Sequence, residues 1–186
     1  MEKQKEMKSK KYNARYIISV GMFTAILAVL SQLSIPMPTG VPITLQTFGF
    51  ALAGYVLGWK LGSVSTFIYV LLGVVGVPVF ANFKGGLQML VGTTGGFIFG
   101  FFFLVICCGL TKKMKNKIGI ICISVLGLLI CHLLGVIQFK IISMRTLMES
   151  FLLVSMPYLV KDVISVLFAY LCKKILLRNM QIMKNT

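Results

Sequence analysis

Few residues in this 186-residue chain are equipped for chemistry: four are acidic and one is histidine. One acid stands out. Asp162, in SMPYLVKDVISVLFAY, sits beside Lys161 inside an otherwise apolar run. An ionisable side chain in a membrane helix costs roughly 2.5 to 3.5 kcal/mol on insertion scales, so it marks a function or a partner. Successive helical residues diverge by about 100°, so Asp162 and Lys161 are not expected to neutralise one another along one face. Asp162 reads as a hydrogen-bond acceptor aimed into a helix bundle. The competing reading is an ion pair with Lys161 or Arg145. Its depth depends on whether the last helix starts near Glu149, or at Ser155 with Pro157 in the first helical position.

Other polar residues sit in irregular, charge-poor sequence. Asn82, in PVFANFKGG, is an amide flanked by Phe80 and Phe83. Ring faces and an amide edge suit a small heterocycle, while the plainer reading is a turn residue before Gly85. Lys84 either attracts an anion or sits in the headgroup layer. In VPITLQT, Thr44 caps a helix or faces a pocket, and Gln46 is an amide that needs a partner. Gly92, Gly95, Gly96 and Gly100 in GTTGGFIFG allow close helix approach, or offer backbone to a ligand. Gly21, Ala25 and Ala28 form a small-residue stripe that packs internally or docks a partner subunit. His132 reads as a hydrogen-bonded helix residue. The five cysteines lie in apolar runs without a C-x-x-C pair, so they read as small hydrophobes. With one histidine they make no metal set, and no cofactor site is expected. The chain has no G-x-S-x-G elbow and no Walker A sequence, so it is read as neither a hydrolase nor an ATPase.

The elements that must position these residues are membrane helices. The chain is 58% hydrophobic and 12% charged, whereas soluble domains carry about 25% charged residues. Residues 16–59 and 85–111 contain no charge. The pattern predicts an all-α integral membrane protein with six transmembrane helices, at about Tyr16–Ile35, Thr44–Gly58, Leu61–Val77, Gln88–Leu110, Ile118–Phe139 and a last one ending near Leu177. PMPTGVP and VFANFKGG break the run between them, because Pro and Gly interrupt helices. Such main chain at membrane depth is tolerated where protein buries it or a polar cavity faces it. Residues 1–186 read as a single membrane domain: a basic arm over 1–15, retained rather than cleaved, the bundle over 16–178, and a tail over 179–186. The net charge of +15 falls in clusters at the ends of apolar runs, which encodes topology rather than nucleic-acid binding. With both termini cytoplasmic, fifteen of the nineteen Lys and Arg residues lie inside and three lie in outer loops. That orientation puts PMPTGVP, VFANFKGG and KIISMRTLMES together on the outer face.

With those residues in view, the chain resembles the BioY family, the biotin-binding S components of energy-coupling factor transporters. PMPTGVPITLQTFGFALAGYVLGWKLGSVSTFIYVLLGVVGVPVF, KGGLQMLVGTTGGFIFGF and MPYLVKDVISV carry the likeness, in order and with matching gaps. The resemblance implies a six-helix S component in a bacterial plasma membrane. It would bind biotin near the outer surface, beside a transmembrane coupling subunit, two ABC-type ATPases and lipid. It also implies that Asp162 and Asn82 meet the ureido ring, whose N–H groups suit a carboxylate and an amide oxygen, that Gln46 shares the pocket, and that Phe80 and Tyr158 cover the apolar bicycle. The family Lys three residues after the Asp is Ser165 here, so Lys161, Lys84 or Arg145 would meet the biotin carboxylate. The alternatives are an S component for a related small molecule, such as a biotin precursor or another vitamin, and a membrane assembly subunit without a transport role.

Overall fold

The computed structural model describes the backbone of residues 2–182 and the side chains of residues 14–176. The side chains of Lys3, Lys5, Lys8, Lys10, Lys11, Arg178 and Lys184 therefore lie outside the described residues. The chain is mostly helical. Helix α1 (Glu2–Gln32) runs through the basic arm and stops three residues earlier than expected. The residue before Pro36 is biased to extended backbone, and Ser34–Ile35 (β1) pairs antiparallel with Ile43–Thr44 (β2). This two-stranded hairpin turns PMPTGVP back on itself, with Gly40 at φ +79°.

Helices α2 (Gln46–Leu57) and α3 (Trp59–Val74) are joined by Gly58 alone. Its φ of +85° is open to glycine at little steric expense. These helices have 12 and 16 residues, or about 18 and 24 Å of rise, short of the roughly 30 Å hydrocarbon layer. Among the described residues, three apolar helical segments are long enough to cross, Ala14–Gln32, Gly95–Lys113 and Lys117–Ser143.

The expected continuous helix over Gln88–Leu110 is instead two pieces, α4 (Gln88–Val91) and α5 (Gly95–Leu110). The break frees carbonyls, and a side chain from a distant helix meets them. Gln138 Nε2 donates to Leu90 O and Gly92 O, both at 2.7 Å. Gln138 lies on α6 (Lys117–Ser143), whose N-cap Asn116 accepts from Ile118 N at 3.1 Å.

The last predicted helix is also two pieces. Helix α7 (Leu147–Val154) starts with a reciprocal cap between Thr146 and Glu149, and α8 (Met156–Ile182) follows after Ser155. The pair bends by 49° and, taken as one broken span, would be a fourth crossing segment. Both expected starts of this helix thus contribute, one to each piece.

Within GTTGGFIFG, Gly96 and Gly100 serve helix packing. A Cβ on Gly96 would lie 2.2 Å from Leu134 O, and one on Gly100 2.6 Å from Cys131 Cα. Gly135 on the facing helix receives the Phe97 ring, 2.4 Å from where its own Cβ would stand. Helices α5 and α6 can approach this closely only through backbone. Between them and α2, Phe50 stacks on Phe101 with centroids 4.3 Å apart. Gly96→Ala is expected to destabilise the protein by about 1 to 3 kcal/mol through overpacking, read as a lower melting midpoint in detergent. Gly21→Ala, where an added Cβ meets nothing within 4 Å, should leave stability unchanged or raise it by up to about 1 kcal/mol.

Candidate functional site

The hairpin loop, the segment between α3 and α4, and the start of α8 converge at one end of the bundle around a cavity. Its walls include Thr44, Gln46, Phe80, Asn82, Lys84, Tyr158, Lys161 and Asp162, the eight residues that sequence reasoning set aside as substrate contacts. Thr47, Phe97, Phe101 and His132 also line it.

Asp162 is only 6% exposed. Its Oδ1 contacts the ammonium of Lys161, and Oδ2 lies 3.3 Å from His132 Nε2. Of the two partners the competing reading offered, the structure shows Lys161: backbone angle sets where the Cβ atoms point, but the four-carbon lysine stem is long enough to curl back. Lys161 Nζ also donates to Thr44 O at 2.7 Å, tying α8 to the hairpin. Arg145 takes no part. It lines a separate cavity of about 330 Å³ with Pro38, Thr39 and Thr93.

Gln46 is buried and committed to protein partners. Its Nε2 donates to Ser31 Oγ and Tyr69 Oη, both at 2.9 Å, and its Oε1 accepts from Thr44 Oγ1 at 3.2 Å. Tyr69 in turn donates to Val79 O at 3.1 Å. This network joins α1, α2, α3 and the loop carrying Asn82. Thr44 Oγ1 also accepts from Gln46 N at 3.3 Å, so Thr44 sits ahead of α2 as a cap-like acceptor, with Leu45 as the formal N-cap.

Asn82 adopts a left-handed conformation, φ 59° and ψ 36°, inside a short turn (Ala81–Phe83) bridged by Phe80 and Lys84. Asparagine tolerates this region better than most residues. Ser34 Oγ donates to Asn82 Oδ1 at 2.8 Å and accepts from Asn82 N at 3.3 Å, while Gln32 Oε1 accepts from Phe83 N at 2.9 Å. The loop is thus fastened to the end of α1. Of the two flanking rings, Phe80 is buried in the cavity wall and Phe83 is 72% exposed. Tyr158 donates to Val41 O at 2.7 Å, which holds the hairpin loop over the cavity.

His132 is more than a satisfied helix residue. It bridges Asp162 and Ser155, whose Oγ lies 3.0 Å from Nδ1. This has the order of a hydrolase triad, but the carboxylate faces the cavity and the serine is fully buried behind the ring. The arrangement supports a carboxylate rather than activating a nucleophile. Three other polar side chains that matter, Ser34, Tyr69 and Gln138, were not singled out from the sequence. Each acts through partners distant in sequence, so no local pattern marks them. Ser165 is buried outside the cavity wall. On α1, Gly21 and Ala25 are exposed, whereas Ala28 packs against the core.

Fold and cavity together define a small, apolar, mostly helical protein with helices long enough to cross a membrane and a polar-lined cavity at one end of the bundle. The chain superimposes on the crystal structure of the S-component for biotin from an ECF-type ABC transporter, with a TM-score of 0.80 and 27% identity, covering 90% of this chain and 93% of that one. The BioY family model matches residues 3–181, and the chain belongs to that family. The "Biotin transporter BioY" of Thermotoga maritima is 47% identical over 123 residues, 66% of this chain and 72% of that protein. The "Probable biotin transporter BioY" of Pyrococcus horikoshii is 36% identical over 152 residues, 81% and 89% of the two chains.

Removing Lys161 would strand the Asp162 carboxylate. Breaking a fully buried pair costs roughly 3 to 5 kcal/mol. Because the Lys161 side chain keeps 28% exposure, Lys161→Met is expected to cost less, about 2 to 3 kcal/mol. Adding Asp162→Asn should recover part of that loss in the same thermal-melting assay.

Proposed function

We propose that this chain is the substrate-binding membrane subunit for biotin uptake. The reading rests on family membership and on the named activity of its relatives. Membership puts it among transporter subunits, not enzymes. One observation carries the chemistry: the Asp162 carboxylate and the Asn82 amide line the same cavity, between aromatic rings. A carboxylate offers about four acceptor positions, more than Lys161 and His132 use, so it can take ureido N–H groups. With Asn82 Oδ1 engaged by Ser34, the amide nitrogen is free to donate to the ureido carbonyl. Phe80 and Tyr158 cover the apolar bicycle, while Thr44 and Gln46 hold the wall behind it. Lys161 is engaged with Asp162 and Thr44. Lys84, exposed at the cavity's edge, is therefore the cation for the ligand's carboxylate.

In this reading residues 1–186 form one membrane domain, a six-helix bundle in the bacterial plasma membrane with both termini cytoplasmic. The distribution of basic residues supports that orientation. The short helices α2 and α3 complete the bundle beneath the two irregular loops. Energy comes from two ATPases through a coupling subunit that docks on the Gly21 and Ala25 face of α1, where small exposed residues let a partner helix approach. A second reading, an S component for another small molecule, draws on Ser165, which departs from the lysine of the BioY pattern.

Equilibrium binding to purified protein across a vitamin panel decides between them. Biotin is expected to bind saturably at micromolar concentration or below. Asp162→Ala should weaken it at least tenfold, since hydrogen bonds to charged groups contribute about 1.5 to 3 kcal/mol. Saturable binding of a different vitamin alone would install the second reading, and no saturable binding of any would end both. Gly21→Leu is expected to leave biotin binding intact while lowering cellular uptake with the coupling partners present. Unchanged uptake would remove the docking assignment.

A further inference from the structure

One buried titratable side chain has no role in the proposed ligand contacts. His132, on α6, is 4% exposed and bonded on both sides. Ser155 Oγ lies 3.0 Å from Nδ1, and Asp162 Oδ2 lies 3.3 Å from Nε2. The edge of Phe97 meets the ring, with centroids 5.8 Å apart and planes at 88°. Two polar partners and one aromatic neighbour leave the imidazole a single orientation. The ring also stands between two spaces. It lines the cavity on one side, and on the other a lateral apolar groove of about 540 Å³ between α6, α7 and α8. Ser155 borders only the groove and Asp162 only the cavity.

We infer that His132 is the positioning residue of Asp162, held as the neutral ring with its proton on Nε2. Hydrogen-bond complementarity together with charge balance favours this arrangement. An ionised carboxylate only accepts hydrogen bonds, so Nε2 must donate. Nδ1 is then an acceptor, and the Ser155 hydroxyl supplies the matching donor. The charge of Asp162 is already balanced by the Lys161 ammonium, so the ring needs no second proton. Cys131, the neighbouring residue on α6, adds no cation to this environment. With Oδ2 tied to α6 and Oδ1 to Lys161, the plane of the carboxylate is set before a ligand arrives. An acceptor fixed in advance costs the ligand less ordering than one that swings freely. The anchor itself sits at the break between α7 and α8, where Ser155 closes the first helix.

The test has two arms, and only the second uses biotin as its probe and so rests on the proposed function. The chain has one histidine, so ¹⁵N-histidine labelling yields one ring spectrum. The expected signature is the neutral tautomer protonated at Nε2, altered in Asp162→Asn. A ring protonated at Nδ1, or one averaging between tautomers, would overturn the inference. In biotin binding, His132→Asn places an amide where Nδ1 stood and removes the donor to Asp162. It is expected to weaken binding about tenfold or more, the scale of a lost charge-assisted bond. His132→Gln, whose amide nitrogen reaches the Nε2 position, should lose far less. In an Asp162→Asn background the gap between the two variants should close. Equal losses from Asn and Gln, or a gap that persists without the carboxylate, would also overturn it. Wild-type protein that binds no biotin would count against the biotin reading, and the tautomer result would then decide this inference alone.

Discussion

A carboxylate buried among apolar helices must be neutralised and hydrogen-bonded, because isolated charge in a low-dielectric interior is strongly disfavoured. Asp162 finds its charge partners on two helices, and one of them reaches on to a third element. Lys161 comes from its own helix, His132 comes from α6, and Lys161 reaches on to the carbonyl of Thr44 in the hairpin. Satisfying one charge therefore fixes α8 against α6 and against the loop that precedes α2. Tyr158, one turn earlier on α8, adds its hydroxyl to Val41 O in the same loop. The cavity's shape follows from this set of bonds.

The irregular backbone at the same end obeys a related rule. Main chain freed from helices needs partners when water is scarce, and here amide side chains supply them. Gln138 takes the carbonyls at the α4–α5 break, and Gln32 takes those of Pro78 and Phe80. These amides let broken helices and short turns exist in an apolar protein. The closeness of α5 and α6 comes from glycines instead, which leave those helices in backbone contact. The two devices divide the molecule: glycine packing along the helices, and polar fastening where the loops form a site.

Much of this was legible in the sequence, for reasons tied to particular residues. Pro36, Pro38, Pro42 and Pro78 mark where helices end, and the hydropathy between them marks the helices. The break before Gly95 was not legible. Gly92, Thr93 and Thr94 do not forbid a helix, and the side chain that stabilises the break lies 46 residues away from Gly92 at Gln138. Asp162 and Asn82 stood out because such residues are rare in apolar surroundings. The Lys161–Asp162 pair is only one of the readings the sequence leaves open, because helical angles describe Cβ directions and not the reach of a long side chain. His132 was visible as the lone histidine, but its partner Asp162 is on another helix and its anchor Ser155 sits at a bend that no periodicity reveals. The grouping of Tyr158 with Phe80 came from family resemblance alone, and both line the same cavity.

The central claim is that a ureido ring occupies the cavity with Asp162 as its charged acceptor. An experimental structure of the protein with biotin, at a resolution that orients the bicycle, tests it most directly. The account requires the ring nitrogens within hydrogen-bond distance of the Asp162 carboxylate, the ureido carbonyl near the Asn82 amide, and the carboxylate tail toward Lys84. Biotin bound in the Arg145 cavity or along the lateral groove, with Asp162 touching no ligand atom, would contradict it.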